Sequence, residues 1–213
     1  MGSFHPTYSQ AAVDEAVAAL NAGGVTLLPA DTVYGFFGRC DIKESTERVY
    51  DIKQRDRGKP FGIYTNERKV EQWVQMNDNA RLLMKTFWPK AMTVILPQTD
   101  ALPDWFTGIG TVGVLTAANP LITEVIERVD GPIFGTTVNY SGEPSIIHAT
   151  DAMHFLDKVD VMIGDDSIIV YNESSTIVDC TIDPPAVIRE GVVATADIAR
   201  VIDGLGIDFS RRR

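Results

Sequence analysis

Residues 9–35 read SQAAVDEAVAALNAGGVTLLPADTVYG, and the order of patterns within them sets the fold class. Ser9 can cap a helix whose Ala12, Val13, Ala16, Val17 and Leu20 fall on one stripe. Gly23-Gly24 stops it. Val25 to Leu28 is then a short apolar run with the length of a buried strand, and Pro29, lacking an amide hydrogen, interrupts it. A helix leading straight into a buried strand is the repeating step of an α/β fold. The segment from Pro29 to Gly35 is turn-rich.

The same alternation continues along the chain. Helices are predicted over 45–53, with Val49 and Ile52 inward, and over 68–76, 79–87, 121–129 and 197–202. Strands are predicted at 61–64, 92–96, 112–115, 133–134, 159–163, 176–178 and 186–188. The pattern predicts an α/β protein with a sheet covered by helices, one domain over 9–204 and terminal extensions at 1–8 and 205–213. Arg211-Arg212-Arg213 reads as a frayed tail.

The chain has 213 residues, with 19 Lys and Arg against 29 Asp and Glu, a net charge of −10. That charge argues against a sequence-wide nucleic-acid coat, since a phosphate polymer is repelled unless cations gather on one face. Cys40 and Cys180 are too few for a disulfide framework and read as buried free thiols. His148 and His154 have no cysteine or carboxylate arranged with them for zinc, so no metal ligands are assigned. No apolar run has the length of a membrane span, and the first residues carry no leader pattern. A soluble, cytoplasmic protein is expected.

Charge is concentrated in Lys53-Gln54-Arg55-Asp56-Arg57-Gly58-Lys59-Pro60, where four cations meet one carboxylate. Cations at a helix end meet the macrodipole, which accounts for one or two of them. The surplus reads as an anion site, because a guanidinium fork matches phosphate or carboxylate and an ammonium acts as a point charge. Gly135-Thr136-Thr137-Val138-Asn139-Tyr140-Ser141-Gly142 follows a predicted strand, with hydroxyls and amides suited either to a phosphate or to a polar turn. Asp31-Thr32, Ser174-Ser175-Thr176 and Arg189 sit at strand ends, where open α/β sheets bind ligands. No Ser-His-Asp or Cys-His set is specified, so a reaction, if there is one, is expected to need positioning and charge neutralisation more than a nucleophilic side chain.

Taken in order, these segments resemble the YrdC-like family of threonylcarbamoyl-AMP synthases. The resemblance is carried by Pro29-x-Asp31-Thr32-x-Tyr34-Gly35, Lys53-x-Arg55, Lys59-Pro60, Trp88-Pro89 with Thr93, Thr137-x-Asn139 with Ser141-Gly142, Ser175-Thr176 with Asp179, and Arg189-Glu190-Gly191. It implies a twisted open mixed sheet flanked by helices around a concave basic cleft, in the single-domain form. It also implies condensation of L-threonine with bicarbonate, then attack of the carbamate on the α-phosphate of ATP, with Mg2+ accompanying the ATP. On this resemblance Lys53 and Arg55 are the catalytic cations. ATP is met by Arg55, Lys59, Thr111, Thr137, Asn139, Ser145 and Arg189, and the amino acid by Thr32, Tyr64, Leu115, Gly135 and Ser175. A tRNA-modifying transferase is the implied downstream partner.

The chain departs from the family pattern where the amino acid is expected. Leu115 stands where the family has an arginine that clamps the threonine carboxylate, Tyr64 where many members have histidine, and Lys90-Ala91 where Gly-Pro is usual. An acceptor other than threonine is therefore one alternative. A double-stranded RNA-binding module, motivated by the basic segment and by family members described that way, is another.

Overall fold

The computed structural model describes residues 2–171 and 173–211. Helix α1 (Gln10–Asn21) begins where the Ser9 side chain accepts the Ala12 amide at 3.3 Å, and ends where Gly23 turns through φ +83°. It leads into β2 (Thr26–Pro29), which is wholly buried. The turn beyond Pro29 is only four residues long. Val33 O accepts the Ala30 amide at 3.0 Å, and the chain returns antiparallel as β3 (Tyr34–Arg39), with Pro29 opposite Tyr34. Strand β3 has no counterpart among the predicted strands, because Tyr-Gly-Phe-Phe-Gly-Arg lacks two-residue alternation. Its Gly38 is a packing glycine: an added Cβ would collide with Ser45 Oγ and the Phe134 ring.

Helix α2 (Lys43–Lys53) and strand β4 (Gly62–Tyr64) follow, then the short α3 (Val70–Trp73), α4 (Asp78–Phe87), β5 (Met92–Pro97), α5 (Asp104–Thr107), β6 (Thr111–Leu115), α6 (Pro120–Arg128) and β7 (Ile133–Thr137). Next come α7 (Ala149–Ala152), β8 (Val161–Ile163), β9 (Thr176–Asp179), β10 (Ala186–Arg189) and α8 (Thr195–Ala199). The helix predicted over 68–76 is cut to four residues because its end is drawn to the end of strand β5. Val74 bridges Gln98, and the Gln75 amide reaches Pro97 O at 2.8 Å.

Both segments set apart as terminal extensions join the sheet. Ser3–His5 forms edge strand β1 beside β8, and Gly206–Ile207 forms β11 beside β10. The expected frayed tail falls largely outside the described residues. The sheet is mixed, in the order β1-β8-β2-β3-β7-β4-β6-β5-β9-β10-β11. Among the described residues, no helix is long and apolar enough to cross a membrane. Cys40 and Cys180 are buried free thiols.

Two cores lie against the sheet. On one face Val49, Leu83, Met84 and Phe87 of α2 and α4 pack with Phe36, Ile63, Val94 and Phe134. On the other, Val13, Leu20, Leu121 and Val125 of α1 and α6 pack with Leu28, Phe37 and Ile133. Strand alternation separates Phe36 from Phe37 and Ile133 from Phe134. Helices α1 and α6 cover only part of the second face. The remainder, over β4, β6, β5 and β9, forms the floor of a cleft.

Candidate active site

Register builds the floor. Phe37 pairs with Gly135, Gly135 with Gly62, and Val114 pairs with both Ile63 and Val94, which brings Gly62 beside Gly113 and Gly113 opposite Ile95. Directly paired residues share a face, so Gly135, Gly62 and Gly113 form a row without side chains across three adjacent strands. A Cβ on Gly113 would lie 2.9 Å from Thr93, and one on Gly135 would meet the Tyr64 and Phe37 rings. The alternation sends Val112, Val114, Val94 and Val178 into the core and leaves Thr111, Leu115, Thr93, Ile95, Ile177 and Asp179 facing the cleft.

The hollow has two connected chambers. An outer one of about 430 Å3 is lined by Arg55, Lys59, Thr111 and Arg189 together with Ile95, Ile109, Ile177 and Ile188. An inner one of about 260 Å3 is lined by Thr32, Tyr64, Leu115, Gly135, Thr137 and Ser175. Arg55, Arg189 and Thr93 line both.

Arg55 reaches the junction through its backbone. Gln54 ends α2 in the left-handed region, at φ 50°, and turns the chain off the helix. The guanidinium then donates to Lys59 O at 3.0 Å and Pro60 O at 3.3 Å and lies over the Phe61 ring. Phe61 is itself stacked between Tyr50 and Phe134. Burial lowers the Arg55 pKa from its usual value, but a guanidinium stays charged in proteins. A side chain at φ 50° costs free energy that glycine avoids. Gln54→Gly is therefore expected to raise stability by about 0.5–1 kcal/mol, measured by urea unfolding; a loss of stability would contradict the role given to this turn.

Arg189 is fixed from the other side. It donates to Ser175 O at 3.0 and 2.8 Å and to Ser175 Oγ at 3.0 Å, and Ser175 Oγ lies 2.9 Å from Thr93 Oγ1. This chain of polar contacts joins β10, β9 and β5 across the chamber junction.

In the inner chamber Asp31 is buried, and its two oxygens accept the Ala118 and Asn119 amides at 2.7 Å each, at the start of α6. Burial raises its pKa, and the two amides oppose that shift. Asn119 ties the same turn down, donating to Pro29 O and Ile168 O at 3.0 Å. Thr32 is thereby held at the chamber wall. Tyr64 packs edge-on against Phe37 at 5.0 Å, and burial, with Asp31 nearby, raises its pKa. Leu115 presents an apolar wall beside Gly62.

Three expected site residues lie outside the walls of both chambers. Lys53 is 1% exposed and lines neither chamber. Its ammonium donates to Thr137 O, to Asn139 O at 3.1 Å and to Asn139 Oδ1 at 2.8 Å. Asn139 Oδ1 also accepts from Thr137 Oγ1 at 2.6 Å, so Lys53 and Asn139 shape the loop that carries Thr137. Ser145 sits in the following loop, half-buried. Conversely, the isoleucine wall of the outer chamber escaped the sequence reading, and Asp179, which carries part of the family resemblance, was given no role in the site. The alternation Thr93-x-Ile95 and Ile177-x-Asp179 is the signal that marks them. Among the described residues no three His, Cys, Asp or Glu gather as a metal site.

A mixed sheet with part of one face uncovered, and two arginines at the junction of two chambers above it, defines a mixed α/β protein with a locally cationic cleft. The chain belongs to the Sua5/YciO/YrdC family, described as telomere recombination, which residues 18–191 match. A Bacillus subtilis relative named threonylcarbamoyl-AMP synthase is 30% identical over 202 residues, 92% of this chain and 58% of its own. A relative from Mycobacterium tuberculosis is 33% identical over 207 residues, 95% of this chain and 93% of its own. Thus the chain spans little more than half of the first relative and nearly all of the second. Among solved structures, Pyrococcus abyssi Sua5 complexed with L-threonine superposes with a TM-score of 0.90 at 25% identity, over 96% of this chain and 62% of that one. Escherichia coli YciO superposes with a TM-score of 0.81 at 26% identity, over 91% of this chain and 98% of that one.

Proposed function

We propose that the chain makes threonylcarbamoyl-AMP from L-threonine, bicarbonate and ATP. The supporting observation is that Arg55 and Arg189 line both chambers, so two fixed cations stand where a carboxylated amine from the inner chamber would meet a phosphate from the outer one. The amine, in its neutral form, and bicarbonate form a carbamate with loss of water. A carbamate oxygen then attacks the α-phosphorus, and the bond to pyrophosphate breaks. Negative charge grows on phosphate oxygens in that step, and fixed cations in a partly dry cleft stabilise it without reorganising. Lys59 and Thr111 extend the site toward the nucleotide, Thr137 borders the inner chamber near the phosphates, and Lys53 acts as a positioning residue through Thr137 and Asn139. Thr32, Gly135 and Ser175 form the amino-acid side. Magnesium fits as a cation brought in on the triphosphate; among the described residues no cage of carboxylates, cysteines or histidines is gathered for it. A cytoplasmic setting, where ATP is supplied, and a transferase that passes the carbamoyl group to tRNA complete this reading.

Pyrophosphate release dependent on ATP, bicarbonate and threonine tests it, with the carbamoyl-adenylate identified by mass spectrometry. Absence of release with threonine and every other amine tried would defeat the adenylate chemistry. Salt-sensitive retention of RNA in that case would favour the RNA-binding alternative.

Leu115 favours a second acceptor. Among the described residues that line it, the inner chamber has no cation beyond the two arginines it shares with the outer one, so its walls also suit an amine without a carboxylate. Leu115→Arg is expected to tighten threonine binding about tenfold by a charge-assisted hydrogen bond, read by isothermal titration. Ordinary threonine affinity in the wild type with no gain in the variant would leave threonine as the acceptor.

A further inference from the structure

Among the residues lining the outer chamber Asp179 is the one carboxylate, and the reaction as drawn leaves it unused. It is 7% exposed, and its Oδ1 accepts the Thr181 amide at 2.9 Å and the Thr181 hydroxyl at 2.6 Å, which fixes the plane of the group. Asp179 pairs with Ile95, and Ile95 with Gly113, which lies beside Gly62. These four residues form one row across β9, β5, β6 and β4, three strand spacings or roughly 14 Å long. Arg55 and Lys59 stand at the Gly62 end, in the connection that enters β4.

A nucleoside triphosphate laid along this row has its anionic end by the cations. A buried carboxylate at the opposite end repels phosphate and is a strong acceptor for hydroxyl donors. Between the ends, Ile95, Ile109, Ile177 and Ile188 offer an apolar surface to a flat base. The vicinal hydroxyls of a ribose are the part of the ligand that matches Asp179. We propose that Asp179 accepts hydrogen bonds from the ribose hydroxyls and makes the cleft selective for ribonucleotides over deoxyribonucleotides. The inference rests on the ATP reading above and adds the residue that recognises the sugar.

Isothermal titration of the full chain with ATP, 2′-deoxyATP and 3′-deoxyATP, with and without magnesium, tests it. The wild type is expected to bind at least one deoxy analogue about tenfold or more weakly than ATP. In Asp179→Asn that ratio should shrink to about threefold or less, chiefly through weaker ATP binding. Asparagine keeps the oxygen that accepts from Thr181, and the wild-type ratio decides the matter even if the variant folds poorly. Equal affinities for all three ligands in the wild type would overturn the assignment. So would discrimination that survives in the variant, or a variant effect confined to solutions containing magnesium, which would assign the carboxylate to the cation. ATP binding without discrimination defeats this inference alone, whereas no ATP binding at all defeats the nucleotide reading with it.

Discussion

Arg55→Ala is expected to weaken binding of a non-hydrolysable ATP analogue by about one to two orders of magnitude, from the loss of charge-assisted hydrogen bonds. The guanidinium stands at the junction of both chambers and is already oriented by Lys59 O, Pro60 O and the Phe61 ring. A phosphate therefore meets a fork whose side-chain entropy has largely been lost before binding. Arg55→Lys keeps the charge but not the fork, so its affinity should fall between those of wild type and alanine variant. Isothermal titration measures both, with thermal melting to verify that the variants fold. Unchanged nucleotide affinity in Arg55→Ala would contradict the placement of the phosphates.

Lys53→Met should act on the fold first. The substitution removes the Lys53 donor from Thr137 O, Asn139 O and Asn139 Oδ1 in a buried site, leaving Asn139 Oδ1 only the Thr137 hydroxyl, and unsatisfied buried acceptors cost about 1–3 kcal/mol each without adding fully. A loss of about 3 kcal/mol, or roughly 6–12 °C in Tm for a domain of this size, is expected. The effect depends on pH with a definite sign. Burial, reinforced by the Arg55 guanidinium, pulls the Lys53 ammonium down to about 7, whereas in the unfolded chain a lysine titrates near 10.4. Between those values the folded chain binds fewer protons than the unfolded one, so wild-type stability rises with pH relative to the variant. The gap in unfolding free energy between wild type and Lys53→Met should thus widen from pH 7 to pH 10. A gap that stays flat over that window would show that the three oxygens hold the proton in place. Nucleotide affinity should fall less in this variant than in Arg55→Ala, because Lys53 acts only through the Thr137 loop.

Local signals were legible wherever a single element decides its own geometry. Ser9 and Gly23 bound α1, the stripes of α4 and α6 face the cores, and most strands lie within a residue or two of their predicted limits. Strand β3 escaped because Gly38 answers to Ser45 of α2 and the Phe134 ring, and Gly35 to the Phe37 ring, and not to strand periodicity. The edge strands β1 and β11 escaped because two or three residues gain strand character only from a neighbour far along the chain.

For the site, the sequence alone determined the chemistry: a cluster of cations after α2, a hydroxyl-rich loop after β7, and Arg189 at the end of β10. The tertiary structure decided which of these face the same hollow. Lys53 and Arg55 are two residues apart, yet the left-handed turn at Gln54 sends one into a buried oxygen cage and the other into the cleft. Composition is a property of the chain, but direction is set by strand register and helix endings, so Gly135, Gly62 and Gly113 became a floor only when β7, β4 and β6 were laid side by side.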